Sequence, residues 1–128
     1  MTPTARTSFV FGIYVVAVGV VILLVPNLLL SIFGLPTTSE VWIRVVGAIA
    51  LPLGFYYIEA ARTEATAYFR VSVWGRAFFA LSLAAFVVLG LSRWPLVLFG
   101  LIDLAGAGWT AFELRRAGLS LRPALFTA

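Results

Sequence analysis

The chain has 128 residues, of which 62% are hydrophobic and only 11% charged, with a mean hydropathy of +1.09. It is long enough for one domain, and a soluble domain carries roughly 45–50% apolar and about 25% charged residues, so a chain this apolar must have lipid as its solvent. With no Cys and no His, disulfides, zinc sites of the usual kind, thiolate or imidazole haem ligands and Ser-His or Cys-His nucleophiles are all excluded.

Four apolar stretches follow one another, each long enough to cross a hydrocarbon core of about 30 Å. The sequence predicts an all-α, integral membrane four-helix bundle that forms a single transmembrane domain over residues 1–128. The first helix is expected over about 8–33, with a kink at Pro26 or a restart there as a short interfacial segment from Pro26 to Phe33, because Pro26 cannot donate a backbone hydrogen bond. Gly34 supplies its stop, with Pro36 just beyond. The apolar core from Phe9 to Val25 is longer than that of a cleaved signal peptide, and no small-x-small site follows it.

The second helix is expected over 38–62, opened by a capping box between Thr37 and Glu40, with Pro52 and several glycines inside it. The third is expected over 69–91. The fourth is expected over 95–117, with Pro95 at its first position. Gly12, Gly19, Gly47, Gly54 and Gly106 read as close-packing positions, where the missing side chain lets neighbouring helices approach. The fragments Ser31 to Leu35 and Val97 to Leu101 resemble each other, but nothing around them extends the match into an inverted repeat.

Charge sets the expected orientation. All nine basic residues are Arg. Arg6, Arg62, Arg70, Arg115, Arg116 and Arg122 lie on the side of the two ends, against Arg93 and Arg44 on the other. The positive-inside rule then puts both termini in the cytoplasm, with Trp42 and Trp94 at the outer interface. The net charge of +4 and pI near 10.4 are read as topology signals, and no nucleic-acid role is expected.

Ionisable groups inside a bilayer cost several kcal/mol unless paired, and so mark candidate sites. Asp103 lies about 12 Å from the start of the fourth helix at 1.5 Å per residue. Gly100, Gly106, Ala107 and Thr110 fall on the same side, which points Asp103 into the bundle. We expect Asp103 to pair with Arg76 or Arg44, and Glu59 with Arg76 or Arg62. Thr110 and Ser72 would add hydroxyls near Arg76. The candidate intramembrane polar site is therefore Asp103, Arg76, Arg44, Glu59, Thr110 and Ser72, with no catalytic residue, metal or cofactor. Tyr56 and Tyr57 read as interfacial belt residues, and Asn27 as a partner for backbone freed by the kink.

Pro26-Asn27-Leu28-Leu29 with Phe33-Gly34-Leu35-Pro36, Glu40-x-Trp42-x-Arg44-x-x-Gly47, Gly75-Arg76 and Asp103-x-x-Gly106-Ala107-x-Trp109-Thr110 resemble a group of small, functionally uncharacterised bacterial four-helix membrane proteins. The resemblance spans about three quarters of the chain. It implies a bacterial inner-membrane location and lends no activity. The sequence fits small multidrug transporters poorly, because the first helix has no acidic residue, and it lacks the polar and aromatic motifs of fluoride channels.

Three functions compete. The leading expectation is a non-enzymatic accessory subunit or packing module of a membrane assembly, in contact with membrane lipids and with a protein partner or copies of itself. The alternative is a small oligomeric transporter, channel or hydrophobic-ligand-binding protein centred on Asp103 and Arg76, which a cavity near Asp103 would favour. A membrane enzyme acting on lipid or quinone comes third, for want of a nucleophile or metal.

Overall fold

A computed structural model describes residues 1–127. The described residues are all-α: α1 (Pro3–Leu24), α2 (Pro26–Ile32), α3 (Trp42–Arg62), α4 (Thr66–Val88), α5 (Leu96–Arg116) and a 3₁₀ turn (Ala124–Phe126). Four of them (α1, α3, α4 and α5) are long and apolar enough to cross a membrane. They run alternately up and down, so both chain ends lie at one end of the bundle, called here the terminal end. The segments around residues 25–41 and 89–95 form the far end.

The first helix begins at Pro3, not near residue 8. Thr2 caps it by accepting a hydrogen bond from Ala5 N at 3.1 Å, and Pro3 fills the first helical position, where no N–H is needed. At Pro26 the chain takes the second of the two expected courses and restarts as α2. The expected capping box between Thr37 and Glu40 does not form, and α3 begins later, at Trp42, with no side-chain cap. Asn27 accounts for the delay: its Oδ1 accepts from Thr38 N at 2.9 Å, which holds the linker back against α2. The remaining helices shift by a few residues at their ends; Pro95 stands just before α5.

Four helices end in one way, with a residue in the left-handed region and a backbone bond spanning the turn. Three use glycine; at Gly34 (φ +70°) the turn is closed by Leu35 N donating to Leu30 O at 2.8 Å. The fourth uses Glu64, at φ +52°. A side chain in this region costs about 1–2 kcal/mol. What Glu64 gains is a tether: its two carboxylate oxygens accept from Thr2 N at 2.7 Å and Thr2 Oγ1 at 2.8 Å. The α3–α4 turn is thereby bound to the start of α1. That backbone donor is also what chiefly holds the Glu64 carboxyl below its usual range.

Among helices this apolar, a bilayer would supply no hydrophobic drive for pairing, and cohesion would then depend on how closely the backbones approach. The pair α1–α3 is drawn together by glycines spaced seven apart on both helices, Gly12 and Gly19 against Gly47 and Gly54. A methyl placed on Gly54 would lie 2.7 Å from Val16 N and 3.0 Å from Gly12 O; one on Gly47 would lie 2.6 Å from Leu23 N. The second pair is α4–α5, where a methyl on Gly100 would lie 3.2 Å from Ala80 Cα. The two pairs join at the terminal end, around Ala5, Ala60, Ala61, Phe69 and Leu114. The segment just after α5 folds back on α4: Arg70 Nε and Trp74 Nε1 donate to the carbonyls of Ser120 and Leu121, both at 2.9 Å. Toward the far end the pairs part, and that separation creates the cavity described next.

Candidate functional site

Arg76, on α4, is 2% exposed and lies amid hydroxyls. Its Nε donates to Ser72 O at 3.3 Å, and its Nη2 to Ser72 Oγ at 3.1 Å and to Thr110 Oγ1 at 2.8 Å. Thr110 in turn meets Thr7 Oγ1 on α1 at 2.7 Å. Thr7 also reaches Thr4 O at 2.7 Å, and Thr110 reaches Gly106 O at 3.1 Å. Each hydroxyl has a single proton, so the chain runs in one of two directions: Thr110 to Thr7 to Thr4 O, or Thr7 to Thr110 to Gly106 O. Either direction satisfies the arginine's contact and ties α1, α4 and α5 together. Ser8, one residue along α1, donates to Tyr57 O at 2.9 Å and adds α3.

The guanidinium carbon lies 4.6 Å from the Phe11 ring centroid and 5.4 Å from that of Tyr57. The ring faces offset part of the cost of burying its charge. They leave Nη1 buried and without a hydrogen-bond partner, the only such side-chain atom among the described residues. Nη1 lies against Gly106: a methyl on that residue would be 3.1 Å from it and 3.0 Å from Phe11 Cδ2.

Asp103 lies one helical turn from Gly106 toward the far end, half-buried. It sits on the wall of a cavity of about 380 Å³ between the two helix pairs. The rest of the wall is apolar: Val15, Val18 and Ile22 from α1, Ala50 from α3, and Phe79 and Leu83 from α4, among others. Tyr14 flanks Asp103 at this level. The short helix α2 and Leu35 close the far end, held over α5 by the Phe33 and Phe99 rings, whose centroids are 4.3 Å apart. This volume is within the range of small-molecule sites, which are typically apolar with a few placed polar groups.

The ion pairs expected from the sequence do not form. Asp103 has no guanidinium within 4.0 Å, and neither has Glu59; the sole salt bridge among the described residues joins Arg116 and Glu113. Helix geometry explains Asp103. Side chains lean toward the N-terminus of their helix. On α4 that tips Arg76 back toward Ser72 and the terminal end, whereas on antiparallel α5 it tips Asp103 toward the far end. The two lean apart. Glu59 is two residues from Tyr57, about 200° around α3, so it points outward when Tyr57 points in, and it is exposed. Arg44 is committed elsewhere: Nη1 donates to Leu23 O at 2.6 Å and Leu24 O at 3.2 Å. Those carbonyls lie at the end of α1, where the break at Pro26 cost them helical donors.

The structure thus brings Arg76, Thr110 and Ser72 together, sets Asp103 one turn away on the cavity, and leaves Arg44 and Glu59 outside. The sequence reading missed Thr7, Ser8, Phe11 and Tyr14. A first helix that begins near Ser8 leaves Thr7 outside it. The available signal was a small hydroxyl cluster, Thr4, Thr7 and Ser8, at helical spacing before Phe11. No family model, curated protein or solved structure matches the chain.

Proposed function

We propose that this chain is a multi-pass membrane protein that takes up one hydrocarbon-chain molecule from the bilayer, holding it between the helix pairs α1–α3 and α4–α5. The observation that carries this reading is the apolar cavity of about 380 Å³ with the Asp103 carboxylate on its wall. Its lining suits a chain and not a hydrated ion, which sets a ligand-binding role ahead of a channel. No catalysis is part of the proposal. The location we propose is a bacterial inner membrane with both termini cytoplasmic, supported by the Arg-rich terminal end.

A second reading, an accessory subunit docking on a protein partner or on copies of itself, draws on Gly75 and Gly108. Both lie on the outer faces of α4 and α5 with nothing within 4 Å of a methyl built there, leaving flat ground for another helix.

Photolabelling with a diazirine-bearing hydrocarbon chain in nanodiscs tests the first reading. It predicts adducts on Val15 and Leu83, which are 9% and 7% exposed, as well as on lipid-facing Phe78 and Val88. Adducts confined to the lipid-facing pair would contradict it.

A further inference from the structure

Asp103 lines the apolar cavity, and the buried, unpartnered Nη1 of Arg76 lies against Gly106, one helical turn from Asp103 along α5 and beyond the cavity wall. A buried N–H without an acceptor is destabilising, and Phe11 covers the guanidinium's face without supplying an acceptor. Gly106 brings no side chain against Nη1, whereas a methyl there would lie 3.1 Å from it.

The geometry points to an occupant whose head group is uncharged and carries a hydroxyl: its oxygen accepts from Arg76 Nη1 and its proton goes to the Asp103 carboxylate. This rests on the cavity being a chain-binding site and adds the chemistry of its inner end. Charge argues for neutrality. At this level the facing elements bring one guanidinium and one carboxylate, together neutral. A carboxylate head would set a second negative charge beside Asp103, and an ammonium head a second positive charge beside Arg76, each in apolar surroundings. An ether or ester head would accept from Arg76 but offer nothing to Asp103.

The test uses the intact protein in nanodiscs containing equal mole fractions of dodecanol, dodecyl methyl ether, dodecanoate and dodecylamine, with bound adducts counted by native mass spectrometry. Dodecanol is expected to be retained about tenfold over each of the others, the worth of about one hydrogen bond. Asp103→Leu removes the acceptor, and Gly106→Ala screens Nη1 while leaving every charge in place. Both variants should still retain chains and bring dodecanol and dodecyl methyl ether within about twofold of each other; Gly106→Ala should keep both charged probes disfavoured, whereas Asp103→Leu should admit dodecanoate, which no longer meets a second negative charge. Preference for dodecanoate or dodecylamine, or equal retention of all four by the unaltered protein, overturns the head-group assignment while leaving the cavity reading intact. Retention of none removes both.

Discussion

Adding one methyl group to this protein should have opposite effects at two glycines of the same chemical kind. At Gly54 the added carbon would lie 2.6 Å from Val16 Cγ2 and 2.7 Å from Val16 N, where ordinary contact begins near 3.4 Å. The backbone nitrogen cannot rotate aside, so α1 and α3 must separate locally by something under about 1 Å. A gap of that size forfeits a quarter to a half of each contact's dispersion energy along the seam. Overpacking costs about 1–3 kcal/mol, offset by up to about 1 kcal/mol of improved helix propensity. Gly54→Ala should therefore destabilise by about 1–2 kcal/mol. At Gly108 nothing lies within 4 Å, so only the propensity gain remains, and Gly108→Ala should be neutral or stabilising by up to about 1 kcal/mol. Equilibrium unfolding in mixed micelles, followed by far-ultraviolet circular dichroism, measures both. Equal shifts of the same sign would refute close α1–α3 approach as the source of cohesion.

Thr110→Val should cost about 1–3 kcal/mol in the same assay, because it strips Arg76 Nη2 and Thr7 of a buried partner; a shift below about 0.5 kcal/mol would show that the hydroxyl chain carries little. Arg44→Met should destabilise by about 1 kcal/mol and speed amide exchange around Leu28, since the Leu23 and Leu24 carbonyls lose their donor; unchanged exchange would argue against the capping role. Glu64 has a folded pKa below its unfolded value, so the stability it supplies is present above the unfolded value and is lost as pH falls through the lowered one. Glu64→Gln should remove that part of the acid dependence, and identical pH profiles would contradict the tether to Thr2.

Much of the architecture is legible in the sequence because stretches this long and apolar leave a chain few alternatives to long helices. The restart at Pro26, the stop at Gly34 and the close-packing glycines all follow from single-residue chemistry. The ends of helices were less legible. Thr2-Pro3 is a good helix start, but it lies in a polar stretch outside the apolar window; Thr37 and Glu40 have capping spacing, but Asn27 holds the linker elsewhere. Within the site, Asp103, Arg76, Thr110 and Ser72 stand out as polar residues in apolar stretches. Their pairing does not, because residue spacing gives depth along a helix and says little about lean. Arg76 and Asp103 are at neighbouring levels, yet they tilt apart on antiparallel helices. The cavity is invisible in sequence altogether, since it arises where two tightly joined helix pairs diverge.

Native mass spectrometry of the protein released gently from its own membranes, beside a Val18→Phe variant that narrows the cavity, tests the ligand-binding reading most directly. Val18 lines the cavity and is only half-buried, so the larger ring can be accommodated without dismantling the bundle, as an unchanged unfolding midpoint would verify. The account predicts one small apolar adduct on the unaltered protein that is lost from the variant. The same adduct on both, or none on either, would contradict it.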